Sequence, residues 1–282
     1  MLTTTLTPVH GNPVHGNLVY DNRLRTTDSL NIPNTQTYLA NLVEEARCHR
    51  AVQHPYLAAL ATGRVPDLRW AITDFARHYY GYSTYFPRFL MTVISRLDCP
   101  AHREALIENL TEESGTYGED DLAALARIGI QADWIVGVPH PQLFRRFRSA
   151  LGLTETTPQQ VDLEVVCWRE MLLSTLMHGS TAEAIGAIGL GTETIVSECY
   201  RPIVQALSSL DNLSAHDTVF FSLHTLVDDA HQETLLDIAA TFAQTPEGRR
   251  DLQKGMRKAL SLRLAFWDWL HGRALNQGDL AA

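Results

Sequence analysis

From residue 35 onward, apolar positions recur at helical spacing almost without interruption. The pattern predicts helices over 35–49, 67–97, 100–114, 118–128, 141–151, 158–179, 181–209, 216–243 and 247–274. Their edges coincide with Pro55, Pro66, Pro100, Pro139, Pro158 and Pro246, where a missing N–H and a fixed φ start or stop a helix. Pro87 and Pro202 fall inside helical patterns and predict kinks. No stretch alternates apolar and polar residues as a half-buried strand would. Residues 1–34 lack any helical period, are rich in Thr, Asn, Pro and Gly, and contain the near-duplicate VHGNPVHGN. The reading is an irregular N-terminal arm over 1–34 and one all-α domain over 35–282. His10 and His15 in the arm read as solvated loop, because nothing there fixes a metal-binding geometry.

Several ionisable residues break the helical pattern by sitting on the apolar stripe. In FFSLHTLVDDAHQETLLDI, His224, Asp228 and His231 fall within about 60° of one another at 100° per residue. The stripe continues through Phe220, Leu235 and Ile238, so the polar triple faces the core. A buried carboxylate needs cations or a dense hydrogen-bond network, which points to a metal. In EAIGAIGLGTETIVSECYRPI, Glu193 shares a stripe with Gly186, Gly189, Leu190, Val196, Tyr200 and Ile203. The small residues there would admit a partner backbone or a ligand, and Glu193 taken alone reads equally as a helix-interior carboxylate paired with an arginine. Glu113 points inward with Leu106, Asn109, Leu110 and Tyr117, whereas Glu104, Glu108 and Glu112 form an i, i+4 run that reads as a solvated face. His140, ahead of Pro141, is expected at an N-cap, with Leu143, Phe144 and Phe147 turned inward behind it.

Three inward carboxylates and three inward histidines, on four or more helix segments, match the inventory of a carboxylate-bridged dimetal site. Three carboxylates carry −3 against +4 for two divalent ions. Imidazole and carboxylate donors without thiolate suit iron or manganese, and oxygen chemistry selects iron. The double Glu-x-x-His pattern of ferritin-like proteins is absent, with Asp228-x-x-His231 its nearest match, and there is no HExxH.

Composition narrows the setting. The 282 residues are 45% hydrophobic and carry 32 acidic against 23 basic side chains, a net charge of −9. That excess argues against nucleic acid as a partner, since phosphate contacts need a basic face. No apolar run approaches the roughly 18 residues of a membrane span. The start MLTTTLTPVHGN lacks a basic segment followed by an apolar one, so no secretory signal is expected. Cys48, Cys99, Cys167 and Cys199 lie far apart with no CxxC, which suits reduced thiols and a cytoplasmic location.

The six residues in order, Glu113 in NLTEESG, His140 in HPQLFRRF, Glu193 in GTETIVSECY, then His224, Asp228 and His231, resemble the haem-oxygenase-like diiron oxidases and oxygenases. The aromatic segment DFARHYYGYSTYFPRFLMTVISRL resembles the helix ahead of that family's first ligand, and the likeness covers approximately 50–245. The resemblance implies a bundle of about seven core helices, and those six residues as ligands of two Fe(II) ions. It further implies O₂ as cosubstrate, a small-molecule substrate, and an external reductase or small reductant that the sequence does not identify.

The 26 residues between Glu113 and His140 exceed the spacing of many family members. They resemble the branch that oxygenates nitrogen, where a longer segment supplies another carboxylate ligand. Glu119, Asp120, Asp121 and Asp133 are the candidates. The implied reaction is N-oxygenation of a small amine, guanidine or aminoimidazole to a hydroxylamine, nitroso or nitro product in specialised metabolism. The alternative within the family is cleavage of C–C or C–H bonds in an amino or fatty acid. Tyr80, Tyr117, Tyr200 and Phe220 are candidates for the pocket wall.

Two readings without metal stand beside these. A thiaminase-like enzyme would need Cys99, Cys167 or Cys199 as nucleophile, though none has basic neighbours to activate it. A non-catalytic bundle would act through a partner, with the amphipathic tail ALSLRLAFWDWLHGRAL docking on a second copy of the chain or closing its own core. His78 with Asp74 at i−4, His54 before Pro55, and His49 read as structural.

Overall fold

The computed structural model describes residues 34–153 and 162–276, apart from the side chains of 226–230. The arm expected over 1–34, with His10 and His15, therefore lies outside the described residues except for Asn34. Asn34 caps the first helix, accepting a hydrogen bond from Thr37 N at 2.8 Å. The helices run α1 Thr35–Arg47, α2 Pro55–Ala61, α3 Leu68–Ser83, α4 Phe86–Ile94, α5 Pro100–Glu113, α6 Glu119–Arg127, α7 Ala132–Ile135, α8 His140–Ala150, α9 Leu163–His178 and α10 Thr181–Ile185. A π-helical segment, Gly186–Glu193, leads into α11 Thr194–Leu207, followed by α12 Ala215–Phe242 and α13 Pro246–Leu275. The described residues contain no strand, and no helix among them is long and apolar enough to cross a membrane.

The all-α class expected from the periodicity is what forms, with three local differences. The single helix expected over 67–97 is two, because Pro87 in the first turn of α4 has no N–H to return to the Ser83 carbonyl, the last of α3. Short α2 and α7 were too brief to show a period. The helix expected over 181–209 contains the π-helical turn, and Pro202 sits inside α11 without ending it. Caps mark the long helices: Asp67 accepts from Trp70 N at 2.9 Å, and Ser214 forms a reciprocal box with Asp217.

Two close backbone approaches govern the site. The π-helical segment lies directly against α13, since a Cβ on Gly186 would fall 2.0 Å from Leu252 O and one on Gly255 1.8 Å from Glu183 O. The stripe of small residues thus admits a partner backbone from the same chain. Gly115, at φ +88°, turns the chain after α5, and a Cβ there would lie 2.6 Å from Val138 N. With Gly137 N donating to Gly115 O at 2.8 Å, this clamp closes the long segment and returns His140 to the end of α5.

The core between these elements is aromatic. Tyr79 stacks on Trp267 at 5.8 Å, Tyr82 stacks on Trp168 at 3.7 Å, and Phe144 packs edge-on to Phe220 at 4.9 Å. The tail helix α13 buries Met256, Leu260, Phe266, Trp267 and Leu270, so it closes the chain's own core. His54 caps α2 and reaches Asp268 at 3.0 Å, and His49 accepts from Ala51 N. His78 meets Asp74 at 3.1 Å as the i, i+4 pair anticipated, and Asp74 also accepts two bonds of 2.7 Å from Arg273.

Candidate metal centre

Glu113 ends α5, His140 begins α8 and His224 lies mid-way along α12, and the fold brings one donor atom from each within 4.8 Å of the others. Glu113 and His140 are buried, at 3% and 4% exposure. His140 occupies the first turn of α8 behind Pro139, not the N-cap position expected, because Pro139 already supplies the extended cap conformation. Its Nδ1 is 3.0 Å from Glu113 Oε1 but off the line of a hydrogen bond, so this buried nitrogen has no hydrogen-bond partner. His224 Nε2 lies 3.9 Å from the same oxygen. Three donors converge on one point without satisfying one another.

The outer nitrogens explain which ring atoms face inward. His224 Nδ1 donates to the Phe220 carbonyl at 2.6 Å, which leaves Nε2 as the lone-pair atom. His140 Nε2 meets the Tyr117 hydroxyl at 2.8 Å, an arrangement that orients Nδ1 toward Glu113. Burial and the adjacent His140 push the His224 pKa down to about 4, so its ring is neutral near pH 7. Burial raises the Glu113 carboxyl, but the imidazoles of His140, His224 and His231 outweigh it and hold the pKa below the ordinary value.

Glu193, the last residue of the π-helical segment, lines the same cavity with Glu113, His140 and His224. The wider turn matters here: Thr192 Oγ1 bonds Ala187 O five residues back, and the segment is buried throughout. π-helical turns recur at functional sites because the extra residue displaces a side chain from the helical register. Burial, reinforced by Glu113, raises the Glu193 pKa to about 7. Tyr200 and Phe220 line the cavity as anticipated. Tyr117 instead backs His140, and Tyr80 lies off the cavity with Arg145 at its hydroxyl and Arg148 over its ring.

His231 is buried on α12, with Nε2 2.8 Å from Glu112 Oε2. Glu112 was assigned to the solvated run, and Glu104 and Glu108 are indeed exposed. Glu112 differs because it stands in the last turn of α5, where α12 packs over it. Nothing in the sequence singles Glu112 out, because it continues the i, i+4 run of Glu104 and Glu108. The side chain of Asp228 lies outside the described residues. Glu119, Asp120, Asp121 and Asp133 are all exposed and none lines the cavity; the first three occupy the solvent-facing first turn of α6, where Asp121 accepts from Gly118 N.

The donor chemistry fits iron: a carboxylate oxygen and two imidazole nitrogens in one cluster, one of those nitrogens without a hydrogen-bond partner, with Glu193 lining the same cavity. The cysteines offer no rival. Cys48, Cys99 and Cys167 are exposed on the outside of the bundle, and Cys199 is buried with its thiol pushed up to about 11 by burial.

Residues 73–264 match the model of a family described as iron-containing redox enzymes. A 4-chloro-allylglycine synthase of Streptantibioticus cattleyicolor is 23% identical over 245 residues, covering 84% of this chain and 83% of that protein. A 4-aminobenzoate synthase of Nitrosomonas europaea is 21% identical over 253 residues, covering 84% and 92%. Among solved structures, a TenA homologue of Pseudomonas syringae pv. tomato superposes with a TM-score of 0.64 at 15% identity, covering 86% of this chain and 94% of that one. This last likeness concerns the fold alone.

Proposed function

This chain belongs to the iron-containing redox enzymes, and from that premise we propose that it is a non-haem diiron oxygenase that uses O₂ to oxygenate nitrogen in a small substrate. The oxidoreductase class comes with the family; the two Fe(II) ions, O₂ and the nitrogen chemistry are our reading. The ligands would be Glu113, His140, Glu193, His224, Asp228 and His231. We assign the additional carboxylate to Glu112, beside His231, in place of the exposed acidic residues of the long segment.

The single observation that supports the reading best is the convergence of Glu113, His140 and His224 donors within 4.8 Å while His140 Nδ1 has no hydrogen-bond partner. Ferrous iron, when bound, supplies the electrons and open coordination positions that O₂ chemistry requires and no side chain can provide. The chain's own residues do the rest. Phe220 O and Tyr117 fix the imidazole orientations. Glu193, held near its midpoint at neutral pH by burial, gives up its proton when a cation arrives. Tyr79, Tyr82, Tyr200 and Phe220 wall the cavity and limit water.

The relatives named above make a substituted allylglycine and an aminobenzoate, both small and nitrogen-bearing, which supports a substrate of that size and kind. The allyl group in the first name favours a second reading, oxidative cleavage of C–C or C–H bonds in an amino acid. Turnover under ¹⁸O₂ separates the two. Label retained on nitrogen is the expected result; an alkene or aldehyde product with no labelled N–O bond selects cleavage.

A further inference from the structure

Arg263 of α13 lines the cavity that holds Glu113, His140, Glu193 and His224, and it is 1% exposed. A guanidinium keeps its charge at any pH a protein survives, so burial cannot be relieved by losing a proton. Nη2 donates a long bond of 3.4 Å to the Tyr82 hydroxyl, the guanidinium charge also acts on the Tyr79 hydroxyl and on Glu193, and the group lies over the rings of Trp168 and Tyr82 at 5.2 and 5.6 Å. Nε and Nη1 meet no acceptor. The same helix shows what a satisfied arginine looks like: Arg273 donates two bonds of 2.7 Å to Asp74.

The carboxylates already in the cavity do not fill this role. Glu113 is turned to the imidazoles, and Glu193, a candidate ligand, makes no ion pair with Arg263 within 4.0 Å among the described residues. Buried cations are retained where an anion meets them, and a planar fork with free donors matches a carboxylate in two-point geometry. The cavity offers about 30 Å³ of free volume, room for one or two waters, so an entering molecule displaces those and shifts lining side chains.

We propose that Arg263 anchors the carboxylate of the molecule that enters this cavity, so that the substrate is a carboxylate-bearing amine. This rests on reading the cavity as the iron site. A carboxylate held across the Nη1–Nη2 edge, displacing the long 3.4 Å bond to Tyr82, leaves the remainder of a small molecule beside the cluster of Glu113, His140 and His224, where the amine would lie.

The probes are acetate and its neutral isostere acetamide, followed by thermal stabilisation and calorimetry on the wild type and on Arg263→Met, each metal-free and after anaerobic Fe(II) loading. Acetate should bind the wild type saturably, bind Arg263→Met at least tenfold more weakly, and bind Arg263→Lys between the two, with acetamide inert throughout. Acetate that fails to bind the wild type, or binds Arg263→Met equally, overturns the proposal. If Arg263→Met does not fold, wild-type crystals soaked in bromide decide: an anomalous peak within hydrogen-bond distance of the guanidinium supports the anchor, and its absence refutes it. Iron content separates this from the functional reading. A chain that takes no iron yet binds acetate through Arg263 loses the diiron reading and keeps the anion site.

Discussion

Glu112 and His231 meet at 2.8 Å between the end of α5 and the middle of α12, next to the buried cluster of Glu113, His140 and His224. The pairing turns two adjacent glutamates to separate partners: Glu113 to His140 and His224, Glu112 to His231. His231 gains from it, because the Glu112 bond and the charges of Glu193 and Glu112 outweigh burial and raise its pKa. Replacing Glu112 with Ala should weaken retention of the second iron by about 10- to 100-fold, the usual range when a ligand or its direct hydrogen-bond partner is lost. Iron titration measures this. Unchanged retention would return Glu112 to the solvated face.

The metal-free protein should respond to pH in two opposite ways. The His224 pKa is lowered to about 4 from an ordinary 6.5. Stability from the neutral ring is therefore present above about pH 6.5 and is lost as pH falls toward 4. The Glu193 pKa is raised to about 7 from an ordinary 4.5. Stability from the neutral carboxyl is present below about pH 4.5 and is lost as pH rises through 7. Glu193→Gln should accordingly raise the melting temperature of metal-free protein at pH 8 and leave it nearly unchanged at pH 5, while weakening iron binding. Thermal melts across pH check both arms; equal effects at the two pH values would contradict the account.

Cysteine chemistry should be dispensable. Combined Cys99→Ala and Cys167→Ala, both at exposed positions, should leave iron content and turnover within about twofold, as surface substitutions rarely shift stability beyond ~0.5 kcal/mol. Cys199→Ala, at a buried site, should lower stability modestly and keep the iron. Loss of turnover with iron retained would revive a thiol-dependent mechanism.

Asp74 supports the bundle without touching the cavity. Its carboxylate is 5% exposed and its pKa is held below the ordinary value: burial raises it, but Arg273 and His78 outweigh that. Asp74→Ala should destabilise the fold by about 3 kcal/mol, since it leaves the Arg273 charge half-buried without its partner. Denaturant titration gives the number, and iron stoichiometry of the folded variant should not move.

How much of this was legible in the sequence follows from period and distance. A 3.6-residue period over long helices exposes inward polar residues, so Glu113, His140, Glu193 and His224 could be picked out one by one and meet in the structure. Glu112 could not, because position in a run of glutamates says nothing about which helix packs over its end. Arg263 was hidden for a related reason: one arginine among the many of α13 looks solvated until the helix is seen lying against a π-helical turn through Gly186 and Gly255. The π turn itself has no period of its own, since eight residues of GAIGLGTE read equally well as ordinary helix. The acidic residues of the long segment share composition with ligands, and composition alone does not show that they sit in exposed first turns.

The central claim is that these buried donors hold two irons, and anaerobic Fe(II) titration of metal-free wild type beside His224→Ala tests it most directly. The account predicts about two irons per wild-type chain, at most one in His224→Ala with the fold intact by circular dichroism, and a transient visible absorption when only the loaded wild type meets O₂. No iron bound by the wild type, or the same stoichiometry in both proteins, would contradict it and leave Glu113, His140 and His224 as a polar core.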